Sequence, residues 1–275
     1  MGPLLQNESK KGTVPFFRPV ATKRDSPFFD LRIDYGLIGP KKGTVPVMQN
    51  IAVIIPALDE QEALPHVLRD IPRPPVGRVV VADNGSRDGT ARVAVEHGAE
   101  VVHQPERGYG AACLKAMAHL AVDPPDIVVF LDGDYSDRPD ELGSLIDPIL
   151  AGDADMVIGS RARGRQERGA LSPQQRAGNA IACRALRLLY GVRYTDLGPF
   201  RAIRWETLQS LHMRDRNYGW TVEMQIKAAR RGVAYREVPV SYRQRIGVSK
   251  VSGTVRGSLS AGAKILWLLG RYAWS

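Results

Sequence analysis

From residue 51 to residue 161, short apolar runs alternate with longer stretches in which apolar positions recur at helical spacing. "IAVIIP" (51–56), "RVVVAD" (78–83), "EVVHQ" (100–104), "DIVVFLD" (126–132) and "DMVIGSR" (155–161) read as strands. Between them, 59–71, 86–98, 108–121 and 138–152 read as helices, the second with a capped start. Strands that are apolar throughout and separated by helices predict an α/β fold, with a mostly parallel central sheet covered by helices on both faces. In such sheets ligands gather at the carboxyl ends of the strands. Here those ends read "PALDE", "DNGS" and "DGDYSD".

The ends of the chain lack this pattern. The segment 1–47 is rich in Lys, Pro, Gly and Asp, and "KKGTVP" occurs in it twice, at 10–15 and 41–46. Two copies without a periodic core do not make a solenoid, so 1–47 is expected to be a disordered leader, with the folded protein and its authentic start near Met48. At the other end, "LSAGAKILWLLGRYAW" (259–274) has an apolar run too short to span a bilayer. Its Lys264, Trp267, Arg271, Tyr272 and Trp274 suit a helix lying at a headgroup boundary or packed back on the sheet. The expected organisation is a leader (1–47), one α/β domain (48–255) and a C-terminal amphipathic helix (256–275).

Charge sharpens this picture. The net charge of +9 conceals an acidic half and a basic half: 48–159 carries 19 acidic and 8 basic residues, and 160–260 carries 20 basic and 6 acidic. That division suggests a cation site on one side and an anionic partner on the other. Nucleic acid is not indicated, since no basic–aromatic, helix-turn-helix or finger pattern is present. A phosphate-bearing small acceptor or an anionic membrane surface suits the basic half. Cys113 and Cys183 are the two cysteines, far apart and without metal-ligand spacing, which fits a reducing, cytoplasmic compartment. The first residues lack a signal-peptide core.

The chemistry centres on "VVFLDGDYSD" (128–137), where Asp132, Asp134 and Asp137 crowd the end of a buried strand. Uncompensated carboxylates raise one another's pKa, and a shared Mg²⁺ or Mn²⁺ would reverse that. The plain alternative is a strand end followed by Asp137 as an acidic helix cap. "RGYGAAC" (107–113) is only a partial match to a dinucleotide fingerprint, though its glycines could bring N–H groups to a phosphate or simply form a tight turn. "DGDYS" also resembles the nucleophile loop of haloacid-dehalogenase-type phosphatases, but that loop follows the first strand of its domain, and here it follows the fourth.

Taken in order, "IIPALDE", "VVVADNGSRDGT", "RGYGAA", "VVFLDGDYSDRPDEL" and "MVIGSR" resemble the GT-A nucleotide-sugar-binding domain of glycosyltransferase family 2. "YTDLGPFRAIR" and "GVSK" further resemble its polyprenyl-phosphate (dolichyl-phosphate) mannose and glucose synthases. The resemblance covers about 48–255. It implies an inverting, metal-dependent transfer of a hexose from a UDP- or GDP-sugar, most naturally to a polyprenyl phosphate. The enzyme is expected to be cytoplasmic or peripheral on the cytoplasmic membrane face. Kept beside it are a soluble hydroxyl acceptor, the phosphatase, and a non-catalytic nucleotide-sugar binder.

The same resemblance implies roles for individual residues. Pro56, Ala57, Asp59 and Glu60 would line the nucleoside pocket, Asp83 would hydrogen-bond the base, and Gly108 and Gly110 would let the backbone approach the donor. Asp132 and Asp134 form the Asp-x-Asp pair, with Asp134 the direct ligand of Mg²⁺ or Mn²⁺ and Asp132 facing ribose or metal. The sequence departs from the family at Asn84, where a second Asp is usual, and at Ser136, where the mannose synthases often have Gln. In "YRQRIGVSK" the usual arginine position is Gln244, so Arg245 is favoured for the diphosphate over Arg243, with Lys250 beside it. Arg161 and Arg176 would hold the acceptor phosphate. A phosphate acceptor needs no general base, whereas a hydroxyl needs one. Glu223, near Trp220, is the residue expected to serve, with its pKa raised by apolar surroundings or else simply satisfied at a helix start. Asp196 is expected to order a turn and to pair with Arg201.

Overall fold

The computed structural model describes residues 49–247, 267 and 270–272. The leader, Met48, Lys250, Lys264 and most of the C-terminal segment lie outside the described residues. In chain order the first half comprises β1 (Ile51–Ala57), α1 (Leu64–Asp70), β2 (Val76–Asp83), α2 (Thr90–Glu96), β3 (Glu100–His103), α3 (Tyr109–Leu120), β4 (Ile127–Phe130), α4 (Leu142–Leu150) and β5 (Met156–Ser160). The second half adds α5 (Pro173–Tyr190), β6 (Arg201–Arg204), α6 (Trp205–Ser210), α7 (Trp220–Arg230) and β7 (Tyr235–Pro239).

The sheet has seven strands in the order β3-β2-β1-β4-β6-β5-β7. All neighbours are parallel except β6, which runs antiparallel to both β4 and β5. The mostly parallel sheet expected from the apolar runs is therefore present, with one reversed strand inserted between β4 and β5. Alternate residues of each strand feed two cores. Ile54, Val80, Val128 and Ile158 pack under α3, α5, α6 and α7. Ile55, Val81, Val129 and Val157 pack under α1, α2 and α4. Both thiols, Cys113 and Cys183, are buried and free in the first of these cores.

Helices begin later than the hydrophobic period alone suggests, because the strand ends are given over to turns. Asp59 adopts a left-handed φ of 52° and Ala63 N–H donates to Glu60 O, so α1 opens only at Leu64, with proline in its first turn. Likewise a short 3-10 turn over Pro139–Glu141 precedes α4. Of the described elements after β5, the sequence pattern delimits none, and a helix around Glu223 is the one expected among them. β6 is four residues long and begins with Arg201, whose side chain is wholly buried.

Candidate active site

A cleft of about 540 Å³ opens at the carboxyl ends of β1, β2, β4 and β5. That is within the usual range for a site that takes a small ligand. Pro56, Ala57, Asp59 and Glu60 after β1, Gly108 before α3, and Asp132 and Asp134 after β4 all line it, as do Arg161 and Arg245.

The acidic end is built by two segments laced together. Arg243 N–H donates to Ser136 O and Ile246 N–H to Asp134 O, both at 3.0 Å. The Arg243 guanidinium lies 3.2 Å from the Tyr135 ring centroid and its Nε donates to Tyr135 O at 2.6 Å. These bonds carry the intervening Arg245 to Asp134, with which it forms an ion pair. Arg243 thus clamps the loop from outside, and Arg245 is the arginine that faces the cleft. Ser136 holds the other oxygen of Asp134, its amide donating at 2.9 Å and its hydroxyl at 2.5 Å.

The carboxylates beside that pair are under electrostatic load. Burial, then the charges of Asp134 and Asp137, push Asp132 well above the carboxylate range. Burial also takes Asp137 up to about 7, against the pull of Arg161 and with Asp134 adding to the rise. Oδ1 of Asp132 and Oδ1 of Asp137 are buried without a hydrogen-bond partner among the described residues. Orphaned oxygens and raised pKa values are what a cation site shows when its charge is uncompensated, so the residues present fit a hard divalent ion. No group of three metal-ligating side chains occurs among the described residues. A cation here would rest on the Asp132/Asp134 pair and complete its shell from donor phosphates and water.

At the other side, the Arg161 guanidinium makes a bidentate pair with Asp196, Nε to Oδ2 at 2.8 Å and Nη2 to Oδ1 at 2.7 Å. It lies 5.0 Å from the Tyr242 ring centroid. Asp196 also accepts the Arg161 and Gly198 amides, at 2.7 and 3.0 Å. Burial would raise the Asp196 pKa, but its bonds with Arg161 outweigh that and hold it below the usual range. Gly198 packs closely against this pair: a Cβ there would sit 3.0 Å from Arg161 Nε, so the guanidinium would have to give by a few tenths of an ångström. The expected Asp196–Arg201 pair is corrected. Arg201 instead donates to the carbonyls of Thr221, Leu197 and Gly198, and burial lowers its pKa to about 10.

Other expected residues sit elsewhere. Asp83 is outside the cleft lining, its carboxylate accepting the Ser86 amide at 3.0 Å and meeting His103 Nδ1 at 3.1 Å. Arg176 is exposed on α5, and its neighbour Gln175 reaches the cleft. Gly108 and Gly110 make room for the chain itself. A Cβ on either would fall 2.1 or 2.0 Å from the carbonyl oxygens of Arg216 and Asp215. This contact lets Ala111 N–H donate to Arg216 O at 2.9 Å and seats Asn217 and Tyr218 on the cleft wall. Asn84 ties the end of β2 to the turn before α3. Its Nδ2 donates to the carbonyls of Gln104 and Glu106 while Oδ1 accepts Gly108 N–H at 2.7 Å. An aspartate could not donate to those carbonyls.

Glu223 is corrected in environment. It is 1% exposed and does not line the cleft. Its carboxylate accepts the Asp215 amide at 2.7 Å, the Arg214 amide at 3.0 Å and Tyr272 Oη at 2.8 Å, and pairs with Lys227 at 2.7 Å. Burial raises its pKa, but these partners more than reverse the effect, so the net shift is downward. The apolar surroundings expected near Trp220 are overridden by local donors.

The sequence pattern does not mark Tyr109, Asn217, Tyr218 or Tyr242 as lining residues. Tyr109 could have been found within the Gly-Tyr-Gly turn. Asn217 and Tyr218 lie more than a hundred positions from the Gly-Tyr-Gly turn they meet, and only the docking of their loop on α3 brings them in.

Residues 52–234 match the family described as Glycosyl transferase family 2. The chain belongs to glycosyltransferase family 2. An uncharacterized family member from Mycobacterium tuberculosis is 39% identical over 214 residues, 77% of this chain and 94% of that protein. A dolichyl-phosphate hexose transferase of Haloferax volcanii is 35% identical over 212 residues, 76% of this chain and 90% of that protein. Among solved structures, glucosyl-3-phosphoglycerate synthase from M. tuberculosis, in complex with Mn²⁺, UDP and glucosyl-3-phosphoglycerate, superposes with a TM-score of 0.64. It is 25% identical, with 82% of this chain and 80% of that chain covered. The glycosyltransferase family 2 chain is thus a hexosyltransferase with a GT-A fold, and the phosphatase alternative falls away.

Proposed function

We propose that this glycosyltransferase moves a hexose, with inversion, from a UDP- or GDP-sugar to a polyprenyl-type phosphate, using Mg²⁺ or Mn²⁺. The observation that carries the reading is that one cleft holds both an Asp132/Asp134/Arg245 cluster and the Asp196-buttressed Arg161. The first suits a donor diphosphate and the second an acceptor phosphate. The sheet-end turn at Pro56, Ala57, Asp59 and Glu60 would receive the nucleoside. When bound, a divalent cation on Asp134 and Asp132 would supply Lewis-acid neutralisation of the leaving diphosphate. Arg245 would turn from Asp134 to that diphosphate as its charge grows, and Lys250 belongs to the same proposal. Arg161 keeps N–H groups beyond those given to Asp196 and would orient the acceptor phosphate by charge-assisted hydrogen bonds.

An ionised phosphate attacks without giving up a proton. This agrees with the engagement of Glu223, the residue expected to act as base for a hydroxyl acceptor, away from the cleft. The relative that acts on a dolichyl phosphate by name supports the same acceptor class. A thermal-shift panel of UDP- and GDP-sugars with and without Mn²⁺ tests the donor half, and an assay for an acid-labile hexosyl phosphate lipid tests the acceptor half. Stabilisation by one nucleotide sugar only with metal, and labelled product on polyprenyl phosphate, are expected. Product on a hydroxyl acceptor alone would overturn the acceptor assignment.

A further inference from the structure

α5 is apolar on two opposite faces. Ala182, Cys183 and Leu186 face the core. On the far side of the helix Ile181 is 61% exposed and Leu188 78% exposed, with Ala177 also exposed on the same stripe. Positions 177, 181 and 188 fall within about 40° of one another at 100° per residue, pointing away from the buried stripe. Leu189, 50% exposed, borders this stripe, and the exposed Arg184 and Arg187 border its other side. Isolated surface leucines are ordinary, but a stripe opposite the core face of one long helix is not.

The charge around the stripe has one sign. From 168 to 195 the chain carries five arginines and no acidic residue. The helix starts under a capping box at Ser172, and Gln175 in its first turn lines the same cleft as Arg161. An apolar ridge rimmed by arginines complements a layer whose surface is anionic and whose interior is hydrocarbon.

We propose that the outer face of α5 is the surface by which this enzyme docks on an anionic lipid bilayer, with Ile181 and Leu188 entering the interface and Arg184 and Arg187 meeting the headgroups. Such docking sets the cleft mouth at the lipid surface, where a lipid-borne phosphate emerges. The inference builds on the proposed acceptor class, but the binding surface can be tested without it.

The test measures partition of the full chain onto vesicles of phosphatidylcholine with or without phosphatidylglycerol. Alongside it run thermal melts, light scattering for oligomeric state, and turnover on a water-soluble short-chain isoprenyl phosphate. Wild type is expected to bind the anionic vesicles and to bind neutral ones far more weakly. Ile181→Glu with Leu188→Glu should cut partition by about tenfold or more, and Arg184→Glu with Arg187→Glu should act likewise. Melting and turnover on the soluble acceptor should be unchanged. Ile181→Gln with Leu188→Gln provides the same test should the acidic pair disturb folding. Val122→Glu, at an 88% exposed position elsewhere, should leave partition intact. Unaltered vesicle binding in the α5 variants overturns the proposal, as does an equal loss in Val122→Glu. Finding that the α5 changes dissolve a wild-type dimer also overturns it, since the face would then be a self-interface. Vesicle binding by α5 without any turnover on an isoprenyl phosphate would leave the docking surface standing and remove the acceptor reading alone.

Discussion

Arg245 is ion-paired with one oxygen of Asp134 while Ser136 holds the other, so the chain supplies its own cation to the carboxylate proposed to bind metal. A metal bound as proposed would compete with Arg245 for Asp134. Asp134→Asn is expected to abolish metal-dependent donor binding while the melting temperature stays near wild type, read by Mn²⁺ calorimetry with and without UDP. Arg245→Ala should lower kcat by about 10²–10³, as loss of a transition-state donor does. The same change should tighten Mn²⁺ binding in the absence of nucleotide. Weaker Mn²⁺ binding in that variant would contradict the competition.

Arg161 and Asp196 are nearly buried together, at 15% and 2% side-chain exposure. Removing the arginine strands a buried carboxylate, which typically costs about 3–5 kcal/mol. Arg161→Ala is therefore expected to lower thermal stability markedly as well as raise the acceptor KM. Arg161→Ala paired with Asp196→Asn should recover part of the stability without recovering the KM. Recovery of both would assign Arg161 a purely structural role.

The strands β1 to β5 were legible because each carries a short apolar run closed by turn residues, even where, as in β3, only Val101 and Val102 supply it. β6 was not legible. Four residues opening on arginine do not resemble a buried strand, and Arg201 is tolerated there only because carbonyls of Leu197, Gly198 and Thr221 receive its donors. Asp132 and Asp134 could be read from their spacing at a strand end. The role of Asn84 could not, since it depends on where the carbonyls of Gln104 and Glu106 turn after β3. Glu223 misled for a related reason: its neighbours in sequence are apolar, but the amides that solvate it come from the preceding loop.

That loop also gives the glycines a test. Gly110→Ala would drive a Cβ to 2.0 Å from Asp215 O, so the 214–218 loop has to move. The change should cost about 1–3 kcal/mol of stability, as overpacking does, and raise the donor KM because Asn217 and Tyr218 shift with the loop. Gly178→Ala, where nothing lies within 4 Å, should instead stabilise by about 0.4–1 kcal/mol. Thermal melts of the two variants separate these outcomes.

Glu223 ties α7, the 214–215 backbone and Tyr272 to one carboxylate, and its folded pKa lies below the ordinary 4.5. A depressed carboxylate pKa means that the unfolded chain binds the proton more readily. Its contribution to stability is thus complete above about 4.5, the unfolded value, and is lost as pH falls through the lower folded value. Glu223→Gln also leaves Lys227, 9% exposed, without its carboxylate, which should destabilise the protein by about 3–5 kcal/mol at neutral pH. The variant's stability should then fall less steeply than that of wild type on acidification below about 4.5. Urea melts from pH 3 to pH 7 measure both effects. With a phosphate acceptor, kcat at a temperature where the variant is folded should drop only modestly. A loss of about 10²–10⁴ in kcat with stability intact would instead make Glu223 a general base and favour a hydroxyl acceptor.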